Sequence, residues 1–252
     1  MSQELDLELD RIDIVRYSRQ LPLLGASGQV KLLESSVAVV GLGGLGSLIS
    51  MYLAALGVGK LLIVDYDEVG VENLNRQILY TTNDIGRSKV AAARERLKAL
   101  NPLVEVEARD VKVTRDNVAE VLEGADIIVD GLDDWRTRLI LDEYAWETGK
   151  PYVHAAVDSY YGQVTVIQKG VTTCLACITP KPIPDPGCRA IVAPTVGIAA
   201  SIEVMEVLKL VTKIGQPSYN KLIIINTLKP SIEEIPLKPT ADCTKCREKL
   251  LE

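Results

Sequence analysis

Residues 36–47 read Ser36-Val-Ala-Val-Val40-Gly41-Leu-Gly43-Gly44-Leu-Gly46-Ser47. A short apolar run rich in β-branched residues, ending in glycines, reads as a buried strand. Leu45 to Leu56 follows as a helix that stops at Gly57, and Lys60 to Asp65 is a second buried strand. A strand, a glycine turn, a helix and a strand make a βαβ crossover. Outward from this unit the alternation continues. Helices are predicted over 89–100, 114–122 (with Thr114 as N-cap) and 135–148, and strands over 104–109 and 126–130. The fold class that follows is α/β, a doubly wound, mostly parallel, Rossmann-like sheet. After Pro151 the rhythm shifts to two strands, 152–157 and 163–168, around a Tyr-Tyr-Gly turn, then a loop over 169–193. A helix over 195–212 with a polar stripe of Glu203, Glu206, Lys209 and Lys213 leads to closing strands at 221–226 and 231–235. Upstream, helices are expected over 8–20 and 26–34.

Composition excludes several functions. The chain has 252 residues and a net charge of −6, which argues against a partner held mainly through nucleic-acid phosphates. No run approaches the ~20 apolar residues of a membrane span. The acidic start MSQELDLELD is no signal peptide, so a cytoplasmic location is expected. A single histidine, His154, rules out a histidine pair or a histidine-rich metal site. Its place inside a strand makes it a core residue.

Four features carry chemistry. Gly41, Gly43, Gly44 and Gly46 lie where strand meets helix, so the backbone can approach phosphate oxygens at a helix N-terminus. Asp65 ends the next strand, where an acid accepts hydrogen bonds from a ribose. These residues leave the identity of the nucleotide open. Cys174/Cys177 and Cys243/Cys246 form two Cys-x-x-Cys pairs that suit structural tetrahedral zinc. A disulfide framework and a redox dithiol are the alternatives. Cys188 is left over in the long loop beside Arg189, which favours its thiolate. Asn73, Arg76, Gln77, Arg87 and Lys89 follow the second strand and suggest a polyphosphate ligand, which Arg19 could join. Finally, Asp130-Gly-Leu-Asp133-Asp134 puts carboxylates at a strand end, as Mg²⁺ ligands or, for Asp134, as a helix cap.

Together these motifs resemble the MoeB/ThiF family, the bacterial and archaeal relatives of ubiquitin-activating enzymes. The carriers are RYSRQ at 16–20, VVGLGGLGS at 39–47, VDYDEVGVENLNRQ at 64–77, IGRSKV at 85–90 and DGLDD at 130–134. The two cysteine pairs and the PGCRAIVAPTVGIAAS stretch complete the match, which spans nearly the whole chain. The resemblance implies one adenylation domain over 1–252. Residues 1–35 would be N-terminal helices, 36–150 a nucleotide-binding half, and 151–252 a carrier-binding and zinc half. It implies ATP, Mg²⁺ and structural Zn²⁺, and adenylation of the C-terminal glycine of a ubiquitin-like sulfur carrier. The glycines would hold phosphate, Asp65 the ribose, Asn73, Arg76 and Lys89 the triphosphate, and Asp133 Mg²⁺. Arg19 would reach into a second subunit of a homodimer, and Cys188 would match a cysteine that some members use covalently. Asp134 stands where the family often has Asn. With no sulfurtransferase domain in the 252 residues, a separate sulfur donor is expected.

The pathways implied are molybdopterin or thiamin synthesis or tRNA thiolation. Competing readings are an adenylating enzyme for a tRNA carboxylate (threonylcarbamoyl-adenosine dehydratase-like), an NAD-dependent oxidoreductase, and a zinc-stabilised scaffold without activity.

Overall fold

The fold was described on a computed structural model, whose described residues are 13–179, 190–240 and 243–247. Cys188 and the proline run of the long loop lie outside them.

The buried apolar runs become the central strands. β1 (Ser36–Val40), β2 (Lys60–Asp65), β3 (Glu105–Asp110), β4 (Ile127–Asp130) and β5 (Tyr152–Asp158) are parallel. β6 (Tyr161–Ile167), β7 (Lys221–Asn226) and β8 (Ser231–Pro236) extend the sheet antiparallel, giving the order β3-β2-β1-β4-β5-β6-β7-β8. The chain runs from β1 to one edge and then returns to add β4 on the other side of β1. The strand order therefore reverses between β1 and β4, and a crevice opens beyond their carboxyl ends.

Alternate residues of each parallel strand feed two cores. Val37 and Val39 face α2 (Gly44–Leu56), α3 (Lys89–Leu100) and α6 (Ala193–Thr212), whereas Ala38 and Val40 face α4 (Val118–Val121) and α5 (Trp135–Thr148). This period of two, with both faces covered, is why these strands read as continuous apolar runs.

Three differences from the sequence expectation have local causes. Of the helix expected over 8–20, residues 8–12 lie outside the described residues and 14–20 form turns, and α1 (Leu21–Glu34) carries Pro22 in its first turn and breaks at Gly25, whose φ of 67° no helix accommodates. The helix predicted from Thr114 is reduced to α4. Asn117 Oδ1 accepts the Thr114 N–H at 2.7 Å, and this side-chain bond holds the first residues as a turn. The polar stripe on α6 is also only partly solvated, since Glu203 and Glu206 are both fully buried while Lys213 is exposed. Glu206 accepts from the Ser218 N–H and hydroxyl and pairs with Lys209 at 2.7 Å. Neither carboxyl oxygen of Glu203 has a hydrogen-bond partner among the described residues.

Burial, reinforced by Asp130 and opposed by Arg138, pushes the Glu203 carboxyl well above its ordinary range. Folding then takes up a proton that the unfolded chain releases above its usual 4.5, so stability is lost as pH rises past that value. Glu203→Leu is expected to raise the thermal midpoint more at pH 8 than at pH 4.5. Equal shifts at both pH values would contradict a neutral buried carboxyl.

Candidate active site

At the reversal point the backbone itself is packed. Gly41 has φ 88°, and a Cβ there would lie 2.8 Å from the Gly131 carbonyl. A Cβ on Gly46 would stand 1.8 Å from the Gly41 oxygen. Gly41, Gly46 and Gly131 thus bring the turns after β1 and β4 into contact. Gly43 and Gly44 face outward and line a cleft of about 300 Å³. Of the four glycines predicted to hold phosphate, Gly46 is placed in the packing contact and not in the cleft wall. Gly46→Ala is expected to destabilise the fold by about 3 kcal/mol, read by denaturant unfolding, because the clash is with backbone.

The remaining walls come from several elements. Asp65, at the end of β2, accepts the Leu42 N–H at 2.6 Å and the Asp67 N–H at 2.9 Å. Its oxygens keep lone pairs for a further donor. Burial pushes the Asp65 carboxyl up, against the pull of Lys89 and these N–H groups. Lys89, only 5% exposed, pairs with Asp67 at 2.9 Å at the start of α3. Asn73 closes a short turn by accepting the Gly70 N–H at 3.0 Å. Arg76, half-buried, donates to the Glu72 carbonyl and to Asn75. Asp133 is exposed on the cleft rim.

The structure therefore gathers Gly41, Gly43, Gly44, Asp65, Asn73, Arg76, Lys89 and Asp133 around one cleft. Arg87 turns away to Asp84 and Glu95. Arg19 is exposed and does not line its own chain's cleft. Asp134 caps α5 by accepting the Thr137 N–H at 2.8 Å.

Sequence reasoning missed Arg138, Lys112 and Tyr66. Lys112 lies 5.2 Å over the Tyr66 ring, and both line the cleft. Arg138 stands one helical turn after the Asp134 cap, a spacing that could have flagged it. It bonds the buried Asp130 at 3.1 Å and reaches the carbonyls of Leu132 and Ala155. Asp130 also accepts the Tyr152 hydroxyl at 2.8 Å, the Leu132 N–H at 2.9 Å, and lies 2.6 Å from His154 Nδ1. Burial alone would raise the Asp130 carboxyl, but Arg138 and His154 hold it down. Burial lowers His154, and Asp130 opposes that shift. This buried network anchors the 131–134 loop, and it makes His154 the core residue its strand position implied.

The four cysteine sulfurs Cys174, Cys177, Cys243 and Cys246 lie within 4.8 Å of one another. Resolved sulfur–sulfur distances are 3.4, 3.7 and 3.8 Å. These are far beyond a disulfide bond of about 2.05 Å. Zn–S bonds of about 2.3 Å give tetrahedral edges of roughly 3.8 Å, so this donor set fits a closed structural zinc site. Asp142, fully buried on α5, fastens both halves of the cluster. It accepts the Leu175 N–H at 2.9 Å and pairs with Lys245 at 3.2 Å.

Comparison with known proteins settles the lineage. A profile described as the ThiF family matches residues 17–246. The chain belongs to the ThiF family. Among its relatives, the sulfur carrier protein adenylyltransferase of Thermus thermophilus is 38% identical, over 93% of this chain and 91% of its own length. The SAMP-activating enzyme E1 of Haloferax volcanii is 34% identical, over 97% and 93%. A Mycobacterium tuberculosis protein named "Probable adenylyltransferase/sulfurtransferase MoeZ" is 34% identical, over 95% of this chain and 64% of its own length. Of solved structures, E. coli MccB superposes with a TM-score of 0.83 at 24% identity, covering 92% of this chain and 73% of that one. That likeness is one of fold. No helix among the described residues of this ThiF-family chain is long and apolar enough to cross a membrane.

Replacing Asp142 with Ala is expected to speed metal release to a chromogenic chelator about tenfold or more. The global thermal midpoint should shift little, and unchanged release would deny Asp142 its anchoring role.

Proposed function

We propose that this chain adenylates the C-terminal glycine of a ubiquitin-like sulfur carrier protein with a Gly-Gly terminus, using ATP. Adenylyl transfer is supported by the family and by named adenylyltransferases aligned over most of the chain. A ubiquitin-like carrier is supported by the names of those relatives. The observation that carries the reading is the single cleft joining glycine turn, Asp65, Arg76, Lys89 and Asp133 at the strand reversal.

In the reaction a carrier carboxylate oxygen attacks the α-phosphorus of ATP. The new C–O–P link forms as the bond to the β-phosphate oxygen breaks, and pyrophosphate leaves with that electron pair. The attacking group is already an anion, so no general base is needed. This suits a site whose single histidine is buried against Asp130. Charge spreads over phosphoryl oxygens, and fixed cations and N–H dipoles supply most of the catalysis. Arg76 and Lys89, with the N–H groups that start α2, would supply these. Each cation rests on a local partner that phosphate oxygens can outcompete. Asp65 would accept from the ribose. Asp133 would hold Mg²⁺, which neutralises the triphosphate. The four-cysteine site would hold zinc and keep the C-terminal segment on α5.

The homodimer, with Arg19 donated to a second subunit's cleft, belongs to this proposal. It accords with the exposure of Arg19 outside its own cleft. Cys188 would act after adenylation, in sulfur transfer from a separate donor. Molybdopterin or thiamin synthesis and tRNA thiolation are the pathways this activation would serve, in the cytoplasm.

ATP–pyrophosphate exchange tests the reading. Exchange is expected to require a Gly-Gly carrier and to vanish when the last glycine is deleted. Asp133→Ala should reduce it at least 100-fold in a folded protein. Exchange that needs added tRNA in place of a carrier would favour the tRNA-carboxylate reading, and exchange with no carrier dependence would overturn this one.

A further inference from the structure

Gln77 lines the cleft and carries a buried polar atom that has no hydrogen-bond partner among the described residues. The residue is 3% exposed, and that atom is its Oε1. The backbone holds the residue in place, since its N–H donates to the Asn73 carbonyl at 2.9 Å and its own carbonyl accepts from Tyr80 at 3.1 Å. The amide sits against the glycine turn, with Nε2 3.8 Å from where a Cβ of Gly43 would stand. Gly43 is the residue from which the thirteen-residue α2 starts.

The surroundings say which ligand group this atom would meet. The groups that share the cleft with Gln77 are donors: Arg76, Lys89 and the N–H groups at the start of α2, which no side chain caps. They suit phosphate oxygens. A carbonyl oxygen placed among them is repelled by phosphate and needs an N–H or O–H. A buried acceptor left without one costs roughly 1–3 kcal/mol. A peptide whose carboxylate reaches the α-phosphate brings such a donor with it, because its terminal residue's amide nitrogen is two bonds from the carboxyl carbon.

We propose that Gln77 is a specificity-determining residue that accepts the last peptide N–H of the acyl substrate, fixing the attacking carboxylate beside the glycine turn. This rests on the adenylation reading above. It adds that the enzyme reads the terminal amide bond as well as the carboxylate.

The test uses the full chain in ATP–pyrophosphate exchange with two semisynthetic carriers. One ends in Gly-Gly. The other ends in glycolate joined through an ester, so that oxygen replaces the last N–H without adding bulk. The wild-type kcat/KM for carrier should fall roughly 10- to 100-fold with the ester. Gln77→Leu should lose activity on the amide carrier by a similar factor and treat the two carriers alike, with KM for ATP within about twofold of wild type. Gln77→Met, closer in length, repeats the measurement if the leucine variant does not fold. Wild-type exchange that needs the carrier but ignores the ester substitution overturns the role of Gln77 alone. So does a variant that weakens ATP binding while still discriminating, since the amide would then touch the nucleotide. Wild-type exchange independent of any carrier overturns the adenylation reading itself.

Discussion

The backbone contact among Gly41, Gly46 and Gly131 is the constraint on which the site depends. Val40 pairs with both Val64 and Asp130, so the strands on either side of β1 end level with it. Their following turns must share one small space. Only residues without Cβ let the Gly41 carbonyl sit against Gly46 and Gly131. With that contact made, Leu42 reaches Asp65, Gly43 and Gly44 face solvent, and the 131–134 loop becomes the opposite wall. The cleft is the space left when two turns are packed as closely as main chain allows.

A second layer of control is electrostatic. Asp130 lies fully buried at the end of β4, and its oxygens are occupied by Arg138, Tyr152, Leu132 and His154. A buried carboxylate with this many donors is held rigidly, and losing any one of them would leave charge uncompensated. The exposed Asp133 is under no such restraint. Two acids three residues apart therefore divide the work: one fixes the loop and the other stays open to ligands.

Much of this was legible in the sequence because it depends on local pattern. The β-branched runs gave β1, β2 and β4, and the glycine spacing located the turn. Two Cys-x-x-Cys pairs announced a four-sulfur cluster whose members lie far apart along the chain. What was not legible depended on long-range partners. The polar stripe on α6 marks Glu203 and Glu206 as a pair, yet both are buried and, among the described residues, only Glu206 has donors, in Lys209 and Ser218. No local pattern marks Asp142, whose partners Leu175 and Lys245 come from distant segments. The Gly46 assignment shows the same limit. A glycine motif reveals that main chain comes close, but not whether it approaches a ligand or another turn. The α1 break at Gly25 had a visible residue and no visible reason, because a positive φ is a property of the path the chain takes.

The cysteine cluster has one further consequence. Joined by a metal, its sulfurs close the chain from Cys177 round to Cys243 into a ring that contains α6, β7 and β8. Loop-closure arithmetic of the kind used for disulfides puts the entropy removed from the disordered chain on the order of 4 kcal/mol. The antiparallel extension is an edge whose last strand, β8, is largely exposed. The ring would keep that strand's free end tied back to α5, so the edge would be far less able to peel off the sheet alone.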